Sequence, residues 1–124
     1  VTGVQTCALP ILLWFNADKI REEYNDWDFT TTGRIRQALR MNDLAKCADS
    51  EYVICDFVCP TVEMRNTFNA DYIIWVDTIS DGRFEDTNKL FVPPDTFNIK
   101  VTEQDAEKWS AIIINSLLKY ETKI

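Results

Sequence analysis

Hydrophobic positions in this chain come in short solid runs rather than long alternating tracts. Leu12, Leu13, Trp14 and Phe15 form the first run, and Tyr52 to Val58, interrupted only by Asp56, the second. Tyr72, Ile73, Ile74, Trp75 and Val76 form the third, and Ile99 and Val101, flanking Lys100, a short fourth. Runs of this length without period-two alternation predict strands covered by helices on both faces, as in a parallel sheet. Between residues 33 and 48, Ile35, Ala38, Leu39, Met41, Leu44, Ala45 and Ala48 recur at mixed spacings of three and four. That period predicts a helix whose apolar side covers the sheet. Trp109, Ile112, Ile113, Leu117 and Tyr120 predict a final helix in the same way.

Polar residues supply the boundaries. Asp18 is placed to cap a helix over residues 19–25, with Glu22 and Glu23 in its first turns, where the helix dipole favours negative charge. One of Thr30, Thr31 and Thr32 caps the next helix, Thr61 caps a short one reaching about residue 68, and Thr102-x-x-Asp105 is a capping-box-like start to the last. Strands alternating with helices predict an α/β fold of one domain, with a parallel sheet and right-handed crossovers. Residues 79–97 carry Gly82, Arg83, Asp86, Lys89, Pro93 and Pro94 with no sustained period, the composition of a partly helical, mobile lid. In open α/β sheets ligands sit outside the carboxyl ends of the strands, which puts Asp56, Phe57, Val58 and Cys59 at the rim of the expected crevice.

Composition narrows the chemistry. The 124 residues suffice for one core. A net charge of −7 argues against a general nucleic-acid or anionic-membrane surface. The absence of histidine removes the Ser-His-Asp and Cys-His nucleophilic machineries. Cys7, Cys47, Cys55 and Cys59 form no CxxC pair, so a structural zinc site is not expected and the thiols read as reduced. Cys55 and Cys59 lie too far apart on an extended segment to bridge. No apolar run approaches a membrane span, and the expectation is a soluble, cytoplasmic protein.

Residues 1–11 have neither helical period nor strand alternation. They resemble the conceptual translation of a sequencing-library adapter, so they are expected to be non-native, with the true start of the gene missing.

From Trp14 to about Ile114 the order of segments resembles the adenylyl-sulfate kinases, members of the P-loop kinase superfamily. Phe15-Asn-Ala-Asp-Lys-Ile-Arg21 resembles that family's Asp-Gly-Asp-Asn-(Val/Ile)-Arg, and Arg34-Ile-Arg-Gln37 its Asn-Ile-Arg-Arg. Asp56-Phe-Val-Cys-Pro60 is similar to Ala-Phe-Ile-Ser-Pro, Trp75-Val-Asp-Thr78 to Tyr-Val-Asp-Thr, and Glu85-Asp-Thr-Asn-Lys-Leu-Phe91 to Arg-Asp-Pro-Lys-Gly-Leu-Tyr.

The resemblance implies a three-layer P-loop kinase-like fold that transfers the ATP γ-phosphoryl group to the 3′-hydroxyl of adenosine 5′-phosphosulfate, with Mg²⁺. Such catalysis is mostly positioning and charge neutralisation. Asp18 would hold the metal or orient the attacking hydroxyl, and Arg21 and Arg36 would clamp substrate anions. Phe57 would stack on the adenine, with Val58, Cys59 and Leu90 beside the substrate, and Lys89 and Arg83 would close over the phosphates. A homodimer of the full-length enzyme is a further implied partner.

The departures are specific. Asn16 stands for the family's first Asp, Cys59 for its serine, and Thr31 and Arg34 where the family has a substrate-binding Arg and Asn. The loop G-x-x-x-x-G-K-[ST], whose amides and lysine cradle ATP phosphates, is nowhere in the chain. In the family it follows the first strand, central in the order 2-3-1-4-5. The polypeptide as written is therefore expected to lack that strand and loop, and to be inactive and poorly stable.

Plainer readings stand beside these. Asp18 reads as a helix cap, Arg34, Arg36 and Arg40 as the solvated side of a helix, Phe57 as core, Asp77 as a turn cap and Lys89 as a solvated lysine. Two alternative functions remain: a P-loop kinase for another small hydroxyl acceptor (nucleoside, sugar or polynucleotide end), and a non-catalytic binding module using the rim at residues 56–60.

Overall fold

The computed structural model describes residues 11–79 and 85–122, which fall into two units meeting between Asn69 and Ala70. The architecture is mixed α/β with short parallel sheets.

The first unit opens with strand β1 (Leu12–Asn16), helix α1 (Ala17–Tyr24) and helix α2 (Thr31–Cys47). Strand β2 (Tyr52–Asp56) and helix α3 (Val62–Phe68) complete it. β1 and β2 pair in parallel, with Leu12 opposite Tyr52 and Asn16 opposite Asp56. Leu13, Phe15, Val53 and Cys55 share one face, and Phe15 and Cys55 pack on a core of Ala17, Ile20 and Met41, joined by Leu44, Phe57 and Phe68. The opposite face is bare: Trp14 is 63% exposed and Ile54, its register partner, 46%. Two-sided burial of these strands, expected from their solid apolar runs, therefore does not hold, because among the described residues helices cover one side only.

Local chemistry explains the helix ends. Thr30 caps α2 by accepting from the Gly33 amide at 3.2 Å, and Thr61 caps α3 by accepting from Met64 at 3.2 Å. α1 ends on Asn25 in the left-handed conformation, φ 49°, its amide reaching the Glu22 carbonyl while Asp26 N–H reaches that of Arg21. Asn tolerates that geometry better than most residues.

The second unit contains strand β3 (Ile74–Val76), helix α4 (Glu85–Leu90), strand β4 (Ile99–Val101) and helix α5 (Ala106–Thr122). β3 and β4 pair in parallel, Ile74 with Ile99 and Val76 with Val101. The cap of α5 is Asp105, whose carboxylate accepts from Lys108 N–H at 3.1 Å, and not Thr102, which lies one turn too early. Trp109, Ile113, Leu117 and Tyr120 are half-buried, whereas Ile112 is exposed. The expected lid is in part the helix α4; its residues 80–84, Arg83 among them, lie outside the described residues.

Candidate functional site

At the carboxyl ends of β1 and β2 two polar side chains meet. Asn16 donates from its side-chain amide to the Asp56 carboxylate at 3.1 Å, and its carbonyl accepts from Lys19 N–H at 3.2 Å. Asn16, rather than Asp18, is therefore the cap of α1. Asp18 sits in the first turn, half-buried, where the helix dipole favours its charge. The cap shifts because the strand runs one residue further than its apolar run, and Asn16 is the last residue still extended, with ψ 127°.

Four arginines converge on the loop that follows α1. Arg21 is only 4% exposed, and its guanidinium donates to the backbone carbonyls of Asp26 (2.9 Å) and Asp28 (3.4 Å). It lies 4.5 Å over the Phe29 ring, with Arg34 at 5.2 Å from the same ring. Arg34 donates from Nε to the Phe29 carbonyl at 2.8 Å. Arg36 grips Asp26 with two parallel bonds, Nε to Oδ2 at 2.8 Å and Nη2 to Oδ1 at 2.9 Å, and reaches Asp28 at 3.1 Å. Arg40 adds a bond to Asp26 Oδ2 at 2.8 Å and one to Gln37 Oε1 at 2.8 Å. Fork-to-carboxylate contacts of this kind are short, directional and charge-assisted.

The electrostatics follow the contacts. The Arg36 and Arg40 guanidiniums hold the Asp26 carboxyl well below the usual carboxylate range. Asp26, and then Asp28, raise Arg36 above its ordinary value. Burial lowers Arg21, partly offset by Asp26. Gln37, fully buried, ties this cluster to the first residue of α1: its amide donates to the Ala17 carbonyl at 3.1 Å while its oxygen accepts from Arg40.

The rim after β2 divides. Phe57 turns into the core, its ring edge-on to Phe68 at 5.2 Å, whereas Val58 is largely exposed. Cys59 adopts φ 47°, unusual for a residue with a β-carbon, and its carbonyl accepts from Arg65 Nε at 3.0 Å. Burial pushes its thiol up to about 12, with Arg65 pulling the other way. Burial also raises the Cys55 thiol, to about 11.

Of the remaining expected site residues, Lys89 and Leu90 end α4 in the second unit and are exposed. Asp77 pairs with Lys100 at 3.5 Å, and Lys100 also lies 4.3 Å from the centre of the Trp75 ring. The second unit has a cleft of about 500 Å³ between Tyr72, Asn98, Asn115, Lys119 and Tyr120. Tyr72 and Asn98 precede β3 and β4, so this cleft lies at the amino ends of those strands, opposite to where α/β sheets hold ligands.

Asp26, Asp28 and Arg40 are thus the cluster members that sequence reasoning did not single out for a function. The only signal was the density of Asp and aromatic residues over residues 24–29. Among the described residues no three acidic, thiol or imidazole groups gather as a metal cage, and no helix is long and apolar enough to cross a membrane. Comparison with models of known protein families, with curated proteins and with solved structures found no match to the chain.

Proposed function

We propose that this chain derives from an adenylyl-sulfate kinase-like phosphotransferase of the P-loop superfamily, acting in the cytoplasm on adenosine 5′-phosphosulfate with ATP and Mg²⁺. The observation that carries the reading is the strand pairing. In the order 2-3-1-4-5 the second strand neighbours the third, and the fourth neighbours the fifth, all in parallel. β1 with β2 and β3 with β4 pair in parallel in the same chain order, which supports the reading. An order lacking its first strand leaves two sheets of two, the number and size found among the described residues.

In this reading Asp18 orients the attacking hydroxyl and is the one protein carboxylate a nucleotide-borne Mg²⁺ needs. Magnesium in such sites keeps several waters and takes few protein ligands. When bound, the ion neutralises phosphate charge. Arg36 supplies a guanidinium for the substrate's anionic end, and Val58 and Cys59 line the rim. Arg21 and Phe57 support the site from inside, the first by holding the loop carbonyls and the second by packing under the rim. Without G-x-x-x-x-G-K-[ST] the polypeptide as written does not turn over ATP.

A binding module is the second reading, favoured by the same internal placement of Arg21 and Phe57. One experiment separates the two. The genomic region upstream of the Leu12 codon is resequenced from independent reads, and the chain so extended is assayed with ATP against adenosine phosphosulfate, nucleosides and sugars. Phosphoryl transfer to adenosine phosphosulfate supports the proposal, and transfer only to another acceptor moves it to a sister kinase. An upstream region without a phosphate loop, and no transfer, rejects it in favour of the binding module.

A further inference from the structure

The cleft at the amino ends of β3 and β4 has fixed walls. Tyr120 donates its hydroxyl hydrogen to the Asp71 carbonyl at 2.9 Å, and the Tyr72 hydroxyl is hydrogen-bonded to Ser116 Oγ, so the last turns of α5 are held at two points to the segment before β3. The Tyr72 and Tyr120 rings meet edge to face, 5.3 Å apart and at 72°, and with Ile112 they give the cleft an aromatic and aliphatic wall. Its volume of about 500 Å³ falls within the roughly 300–1,000 Å³ of small-molecule sites. What these walls leave uncommitted is mostly donor. The Asn98 side-chain carbonyl accepts from Ile73 N–H at 2.7 Å, which leaves its NH₂ without a partner among the described residues. The Asn115 side-chain amide and the Lys119 ammonium, which also line the cleft, likewise have no hydrogen-bond or carboxylate partner among the described residues.

We propose that this cleft binds a small aromatic carboxylic acid, with its ring system against Tyr72, Tyr120 and Ile112 and its carboxylate on Lys119, the Asn98 and Asn115 amides serving as further donors. Aromatic rings gain from edge-to-face or offset contacts beyond the area they bury, so a flat aromatic body suits a tyrosine pair better than a saturated one does. A carboxylate takes a charge-assisted hydrogen bond from an ammonium and accepts from neutral amides. One cation matches one negative charge. A phosphate ester, with nearly two, would keep an unmatched charge in the field of a chain whose net charge is −7. The site goes beyond the kinase reading, which puts its ligands at the carboxyl ends of the strands.

Titration of the full chain with β-naphthoate, followed by calorimetry and by the ring resonances of Tyr72 and Tyr120, tests the site. Saturable binding with a Kd below about 1 mM is expected, with shifts at both rings. The neutral β-naphthamide and the saturated decalin carboxylate should each bind at least about fivefold more weakly. Lys119→Gln should weaken β-naphthoate by about five- to twentyfold and leave β-naphthamide unchanged, a split that a merely structural lysine would not produce. Asn115→Asp, which puts a like charge in the cleft, should weaken β-naphthoate by at least about tenfold, again without effect on the amide. Lys119→Arg should retain binding. If Lys119→Gln fails to fold, judged by circular dichroism, Asn115→Asp and Lys119→Arg carry the test. No saturation, equal affinity for acid and amide, equal losses of both in Lys119→Gln, or shifts confined to residues outside the cleft such as the exposed Trp14 would overturn the inference. Failure of the acceptor assay leaves this site standing, and failure of β-naphthoate binding leaves the acceptor assay untouched.

Discussion

Gly33 lies so close to Asp28 that a β-carbon at Gly33 would sit 2.3 Å from the Asp28 carbonyl oxygen and 2.5 Å from its carboxyl carbon. The loop carrying Asp26 and Asp28 therefore rests directly on the first turn of α2. That contact lets Arg34, Arg36 and Arg40, all on α2, reach back to the loop at once.

Gly33→Ala tests the contact with its sign in question. Alanine inside a helix is ordinarily favoured over glycine by about 1 kcal/mol. Here the nearest atom is backbone, which cannot swing aside, so overpacking should win and the net change should be a loss of about 1–3 kcal/mol. Urea denaturation measures it; a stabilised variant would show that the loop does not rest on Gly33.

Asp26 should make stability depend on acid. Its folded-state carboxyl is depressed by the Arg36 and Arg40 bonds, so its contribution is fully present above the unfolded value near 4. It is lost progressively as pH falls below that value through the folded one. Asp26→Asn should lower the urea midpoint at pH 7 and flatten its decline between about pH 4 and pH 2. Parallel declines in the two proteins would place the acid-sensitive group elsewhere.

Thiol reactivity should follow burial. Cys47 is exposed, whereas Cys55 and Cys59 have thiols raised to about 11 and about 12. The thiolate is the reactive species, so iodoacetamide at pH 8 should label Cys47 well before the other two. Peptide mass spectrometry reads the order, and denaturation should erase it. Early labelling of Cys59 in the folded chain would contradict its placement.

Helix α2 offers a paired comparison. Met41 is fully buried in the core, while Leu39, part of the same apolar sequence pattern, is 49% exposed. Met41→Ala should cost about 2–5 kcal/mol, and Leu39→Ala within about 0.5 kcal/mol of zero. Comparable losses in chemical denaturation would mean that Leu39 is covered in solution.

Much of the local structure was legible in the sequence because local chemistry decides it. The four strands fall on the four apolar runs, and Thr61 and one of three adjacent threonines cap the helices expected of them. Both interactions span only a few residues. The expected substrate residues Arg21 and Arg36 do share one cluster, but the sequence does not show that Arg21 is buried.

What the sequence by itself determined is the order and kind of these elements. Tertiary structure decided the rest. Arg21, Arg34 and Gln37 are buried on partners that no apolar period announces: the carbonyls of Asp26, Asp28, Phe29 and Ala17. Whether a polar side chain goes inside depends on whether a folded loop presents acceptors to it, since an unpaired buried charge would not be tolerated. The bare faces of Trp14 and Ile54 follow the same logic in reverse. Their apolar runs fit them for cover on both sides, but cover comes from whatever packs there, and among the described residues helices pack on one side only.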